Sequence, residues 1–262
     1  MRVLVTGAGR AIGAATCQTL SDAGHEVVAT ARDVTLLEDL DVAARFELDV
    51  TDELSVDSVL REAGELDALV NNAALPGFAP VESLPLEHLR SMFETNTIAP
   101  VRLIQRLLPS WRERGSGVIV NISSIQGRVA SPLESAYAAT KFALEAVSES
   151  LHYEVGHFGI RVILIEPGYT APGMKRLAAI PYPEAYQELY GQWEGTDDKV
   201  AGPGGRPGPE TVAQAILGAL EDPSTPLRVP VGDDAAMILA ARASMDDAAF
   251  ESAMREVLGL TW

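Results

Sequence analysis

A chain of 262 residues with a formal net charge of −17 is poorly suited to nucleic acid or an anionic membrane, because both are bound by neutralising phosphates with Lys and Arg. An apolar fraction of 47% over that length is enough for one α/β domain with a full core, and a single domain over 1–262 is the expectation. Cys17 stands alone and His25, His88, His152 and His157 share no metal-ligand spacing with it, which excludes an intrachain disulfide and predicts no structural metal and a reducing, cytoplasmic setting.

A strand-like run begins at Arg2, leaving no room for a leader peptide, and no apolar stretch approaches the ~20 residues that cross a bilayer. The first run, RVLVT at 2–6, leads directly into TGAGRAIG, Thr6 to Gly13, which opens a helix with apolar Ile12, Ala15, Cys17 and Leu20. Glycines at a first β-to-α junction let backbone N–H groups and a helix N-terminus approach a pyrophosphate. A dinucleotide site is the reading, with Ala11 standing where a third glycine is often found. The second run, EVVATA at 26–31, ends in Ala31-Arg32-Asp33. An acidic side chain there would hold a ribose 2′-hydroxyl, whereas a guanidinium prefers a 2′-phosphate. Arg32, with Arg10 in reach, points to NADP(H); the other reading has Arg32 solvated and Asp33 turned back to the hydroxyl.

ARFELDV at 44–50 follows, and Asp49 after it is either an adenine contact or a helix cap with Thr51. LDALVN at 66–71 runs into NNAA at 71–74, and a helical pattern over 86–113 holds Asn96 with Pro100 four residues on. Proline has no N–H, so in one continuous helix the Asn96 carbonyl lacks its usual partner and can hold a water; the same proline can serve only to kink the helix. GVIVNI at 117–122 ends before Ser123 and Ser124, either of which can face a ligand at a strand's carboxyl end. YAATK, Tyr137 to Lys141, places one of the chain's three lysines one helical turn after a tyrosine.

IRVILIEP at 160–167 leads into Pro167-Gly168-Tyr169-Thr170 and then a Pro- and Gly-rich segment. With Tyr169, Tyr182, Tyr186, Tyr190 and Trp193, this reads as a flap over about 172–209 whose aromatics and Met174 wall an apolar pocket, although a partner-facing surface reads the same. A helix from about Pro209, a strand LRVPV at 227–231 and a polar helix around Asp246 to Leu258 complete the chain. Near-continuous apolar runs alternating with helices predict a doubly wound, mostly parallel sheet with helices on both faces.

TGAGRAIG, NNAA, Asn96, Ser124 and YAATK, in this order and spacing, resemble the short-chain dehydrogenase/reductase family. The match runs over about Met1 to Pro172, and the end of the second strand and the aromatic flap look most like its steroid- and retinol-dehydrogenase branch. The resemblance implies a Rossmann-type α/β/α fold and an oxidoreductase with Asn96, Ser124, Tyr137 and Lys141 as catalytic residues. It also implies that NADP(H) touches Thr6, Gly7, Gly9, Arg10, Ala11, Ile12 and Gly13, then Arg32, Asp49, Val50, Asn72, Ala73 and Ala74. Tyr137, Lys141, Pro167, Gly168 and Thr170 complete that set. Ala11 and Ala74 depart from glycines common in the family; neither removes a reacting group.

The residues support that chemistry in their own right. Hydride exchange with a carbonyl needs a proton donor, and Tyr137 suits it if a neighbouring ammonium, Lys141, favours the phenolate. Ser124 can orient the substrate oxygen, and the resemblance gives Asn96 a water that links the lysine to solvent. Apolar stripes at Phe142, Leu144, Val147 and Leu151 and at Leu103, Ile104, Leu107 and Leu108 exceed one sheet contact; such stripes are mostly core, and the resemblance implies that these helices pair into a homo-dimer or tetramer. The expected activity is interconversion of a secondary alcohol and a ketone on an apolar, cyclic or polycyclic small molecule. The alternatives are a non-redox step on the same scaffold, or a cofactor-sensing regulator.

Overall fold

The computed structural model describes residues 1–172, 180–201 and 205–262, the side chains of 197 and 198 excepted; Met174 therefore lies outside the described residues. Its strands are β1 (Arg2–Val5), β2 (Glu26–Ala31), β3 (Ala44–Glu47), β4 (Ala68–Asn71), β5 (Gly117–Ile122), β6 (Ile160–Pro167) and β7 (Arg228–Val231). They form one sheet in the order β3-β2-β1-β4-β5-β6-β7, with every neighbouring pair parallel. Central β4 and β5 are buried at every residue, as both-face burial requires, while edge strand β3 alternates.

Among the described residues the helices are α1 (Ala11–Asp22), α2 (Glu53–Ala63), α3 (Leu86–Phe93), α4 (Ala99–Arg114), α5 (Ser135–Val155), α6 (Gln187–Trp193), α7 (Thr196–Val200), α8 (Pro209–Glu221), α9 (Asp233–Ser244) and α10 (Asp247–Leu258). On one face of the sheet, Cys17 and Leu20 of α1 and Val212 and Ile216 of α8 pack on Val3, Val5 and Val27. On the other, Val56, Leu103, Trp111 and Leu151 of α2, α4 and α5 cover Leu4, Val28 and Ile119. Each such fully buried aliphatic side chain contributes roughly 1.5–3 kcal/mol. Burial also pushes the Cys17 thiol up to about 12, so it behaves as an inert hydrophobe. Strand order reverses between β1 and β4, and the crevice this opens at the carboxyl ends positions the site.

Three departures from the sequence reading have local causes. β3 stops at Glu47, not residue 50, because its partner β2 ends at Ala31; the Leu48 N–H makes the last bond to the Ala31 carbonyl, and Asp49 turns onto Thr51. The expected single helix over 86–113 is α3 and α4 joined by a π-helical turn at Glu94–Ile98, in which the Ala99 N–H reaches back to the Glu94 carbonyl. That wider turn accommodates Pro100 without a break. Between the last strand and the C-terminal helix stands α9, which the sequence reading did not foresee, although Asp233 and Asp234 after Gly232 form an acidic first turn. No helix among the described residues is long and apolar enough to cross a membrane, and they hold no cluster of metal-ligating side chains.

Candidate active site

The glycine turn and the segment after β4 are built as one unit. The Thr6 hydroxyl donates to the Val70 carbonyl at 3.3 Å and accepts the N–H groups of Asn72 and Ala73 at 3.0 and 3.1 Å. The Asn72 amide returns two bonds, to the carbonyls of Thr6 and Gly7 at 2.9 and 3.1 Å. Gly7 has φ +65, and a methyl there would come within 2.9 Å of the Ala73 Cα, so only glycine lets the two segments close. Ala11 opens α1 at φ +45, a left-handed conformation strained for alanine. No side chain caps α1, so its first N–H groups and positive dipole end remain for an anion. This cradle fits the pyrophosphate of a dinucleotide.

At the end of β2, Asp33 is committed to its own turn: its carboxylate accepts the N–H and hydroxyl of Thr35 at 3.1 and 2.6 Å. Arg32 and Arg10 are exposed and line the same crevice. Asp49 also lines it, accepting the Thr51 N–H and hydroxyl at 2.9 and 2.7 Å. Burial pushes its carboxyl up, but the Thr51 bonds and the Arg32 charge hold it below the usual carboxylate range. The cap of α2 is Asp52, not Asp49.

Tyr137 and Lys141 face each other across one turn of α5, with Lys141 Nζ 5.6 Å from the centre of the Tyr137 ring. Lys141 is 3% exposed and donates to the Ile122 carbonyl at 2.6 Å. Burial lowers its pKa from 10.5 to about 8, against the pull of the Glu145 charge. The phenol moves the opposite way from the sequence expectation. Burial, then the Glu134 charge, push Tyr137 above the ordinary tyrosine value, and only a hydrogen bond with Ser124 opposes them. Lys141 alone does not acidify it. Ser124 Oγ accepts the Gln126 N–H at 3.1 Å, which leaves the serine proton for another acceptor; Ser123 Oγ is buried without a partner.

Asn96 sits on the π-helical turn but does not line the crevice. Its side chain is wholly engaged: Oδ1 accepts the Leu75 N–H at 2.7 Å, and Nδ2 donates to the Leu75 carbonyl at 2.9 Å and the Thr140 hydroxyl at 3.0 Å. It clamps the segment after β4 to α5, so any contact with water falls to its backbone. Thr6 and Gly13 likewise act from behind the surface; a side chain at Gly13 would collide with Gly7 and come within 2.7 Å of the Asn72 amide.

All other anticipated residues meet in one crevice of about 2110 Å³. Gly7, Gly9, Arg10, Ala11, Ile12, Arg32, Asp49 and Val50 line one end, and Asn72, Ala73, Ala74, Ser124, Tyr137, Lys141, Pro167, Gly168 and Thr170 continue it. Of the five flap aromatics, only Tyr169 and Trp193 reach it. Tyr182 stacks on Tyr190 at 3.7 Å, and the Tyr186 hydroxyl donates to Glu82 at 2.8 Å, so these rings pack on the protein itself. Phe78 and Ile125 also line the crevice. Neither was singled out in the sequence; their places just after β4 and β5 were the available signal.

The family model described as short chain dehydrogenase matches residues 1–179. The chain belongs to the short chain dehydrogenase family. This short chain dehydrogenase is similar to an uncharacterized oxidoreductase of Schizosaccharomyces pombe, 34% identical over 79% of this chain and 87% of the relative. It is also similar to human retinol dehydrogenase 8, 40% identical over 55% of this chain and 50% of that protein. Among solved structures, a short-chain dehydrogenase from Streptomyces avermitilis superposes with a TM-score of 0.84 at 36% identity, covering 98% of this chain and 96% of the other. Another, from Burkholderia cenocepacia in complex with NADP, gives 0.77 at 26% identity over 98% and 96%.

Proposed function

We propose that this short chain dehydrogenase is an NADP(H)-dependent enzyme that interconverts a secondary alcohol and a ketone on an apolar small molecule, as one domain with a substrate-covering segment at about 172–209. The observation that carries the reading is the convergence of Tyr137, Lys141 and Ser124 on a crevice whose other end is a glycine cradle beside two exposed arginines. Arg32 and Arg10 suit a 2′-phosphate while Asp33 is held by Thr35. The Burkholderia relative's NADP is consistent with this.

When bound, the nicotinamide would supply or accept the hydride. Ser124, oriented through the Gln126 N–H, donates a hydrogen bond to the substrate oxygen and holds it beside the Tyr137 hydroxyl. Tyr137 gives its proton to that oxygen in reduction and takes it in oxidation. Lys141 would hold the ribose hydroxyls and keeps a positive charge beside the ring; because burial opposes the phenolate, that charge, together with any charge the bound cofactor would bring, is needed to favour it. The Asn96 backbone maintains a water path to Lys141. Phe78, Tyr169 and Trp193 form the apolar wall against which the substrate lies. Exposed Phe142 and Tyr153 on α5 support a homo-dimer or tetramer, which light scattering reads directly, and a cytoplasmic location is part of the same reading.

The test is a panel of cyclic ketones and alcohols with NADPH and NADP+, followed at the reduced-nicotinamide absorbance. Tyr137→Phe is expected to lower kcat by about 10²–10⁴-fold while leaving NADPH affinity near wild type. Turnover without any change in that absorbance would favour a non-redox reaction instead.

A further inference from the structure

Asp234 lies in the first turn of α9, beyond the residues 1–179 that match the family model. It is 3% exposed. Its Oδ2 accepts the Tyr169 backbone N–H at 2.6 Å, and its Oδ1 has no hydrogen-bond partner. Glycine stands at both neighbouring positions where a side chain would intrude. A methyl at Gly168 would overlap the carboxylate, and one at Gly232 would come within 2.5 Å of Oδ1. A buried carboxylate is a costly way to fill space, and the positive end of α9 offsets only part of that cost. Its one bond holds the turn after β6, where Gly168, Tyr169 and Thr170 line the crevice shared with Tyr137. The same turn is tied from its other side by the Gly168 N–H to the Val231 carbonyl at 3.0 Å.

We propose that Asp234 is a positioning residue for the cofactor: its carboxylate anchors the Gly168–Tyr169 backbone so that Gly168 and Thr170 present a fixed surface to the nicotinamide end. The inference rests on the dinucleotide reading of the crevice. It gives the C-terminal part of the chain, outside the family match, a share in cofactor geometry. The anchor is charge-assisted and short, the kind of bond that fixes a backbone segment rather than merely covering it.

The experiment compares wild type, Asp234→Ala and Asp234→Asn by NADPH fluorescence titration, by kcat and KM, and by thermal unfolding without cofactor. Asp234→Ala is expected to raise the NADPH Kd and to lower kcat/KM by on the order of 10²-fold, the scale of a small misplacement at a reacting centre. Asp234→Asn, which keeps an oxygen for the Tyr169 N–H, is expected to recover most of both. An alanine variant with Kd and kcat/KM within twofold of wild type overturns the proposal. So does a loss that tracks only the melting temperature and that asparagine does not rescue. If Asp234→Ala does not fold, Gly168→Ala presses on the same carboxylate from the other side: a raised Kd is expected, and an unchanged one overturns the proposal. A wild-type protein that binds neither NADPH nor NADH overturns the dinucleotide reading and this inference together, whereas a binding wild type with an unaffected alanine variant overturns the inference alone.

Discussion

The two ends of the crevice are held together by different physics. The cradle end is a polar lattice: Thr6, Asn72 and Asn96 each make two or more specific bonds between segments distant in sequence. Behind it, Asn71, Asn121 and Ser148 bond in a buried row at 2.8 and 2.9 Å. The outer end is packed by rings and aliphatic side chains, with Trp193, Leu189 and Val200 against Ile125, Ile238 and Leu258, and Phe78 edge-on to Tyr190 at 5.2 Å. Hydrogen bonds are directional, so they fix one geometry; apolar contact is not, so it tolerates exchange of shapes of similar volume. On the proposed reading, the end that would meet the cofactor is the one fixed by directional bonds, and the end that would meet the substrate is built from replaceable surface.

The largest effect is expected from the lattice. Asn96→Ala removes three bonds and leaves the Leu75 N–H and carbonyl without their Asn96 partner, while the Thr140 hydroxyl keeps its bond to the Tyr137 carbonyl; this should cost about 2–4 kcal/mol in urea unfolding and lower turnover, although Asn96 does not line the crevice. A near-neutral result would mean that the lattice is not what holds the cradle. Next in size, Arg32→Ala should weaken NADPH by ~10–10²-fold, the worth of a charge-assisted bond, with NADH unchanged; isothermal titration with both cofactors reads the ratio. At the outer end, Trp193→Phe should shift kcat/KM between bulky and small ketones by roughly tenfold and leave both cofactor affinity and fold stability close to wild type. A Trp193 variant that altered NADPH binding would erase the distinction between the two ends.

The most diagnostic effect is in pH. The Lys141 pKa is depressed to about 8 in the folded protein, so between that value and the ordinary lysine value the unfolded chain binds the extra proton. Its contribution to stability therefore rises with pH across this window, while the charge at the site is lost. The kcat/KM for reduction is expected to fall above about pH 8, approaching tenfold per pH unit for a single ionisation, as unfolding resistance from this group improves. A rate profile flat from pH 7 to 10 would remove the charge of Lys141 from the mechanism.

Much of this was legible along the chain because it is local. β2, β5 and β6 fall on the anticipated boundaries, since buried parallel strands read as unbroken apolar runs. The cradle residues were legible because each follows a strand directly, and in a doubly wound sheet the carboxyl ends of the strands converge. Asn96 was anticipated, but its side-chain role was not: the partners Leu75 and Thr140 lie 21 and 44 residues away, and no local pattern announces them. Asp234 was not anticipated at all, because its meaning depends on Gly168, far back in the chain and adjacent only once β6 and β7 pair. The flap aromatics were over-read for the same reason: composition counts rings, but stacking partners decide which of them face a cavity.

Periodicity and turn chemistry in the amino-acid order were sufficient to specify the sheet, the glycine cradle and the tyrosine–lysine turn, because each depends on neighbours within a few residues. Folding alone decided which carboxylates and amides became clamps, which rings reached the crevice, and in which direction the phenol's acidity moved. Those properties come from burial and from contacts between segments far apart in the chain, and neither exists until the sheet has closed.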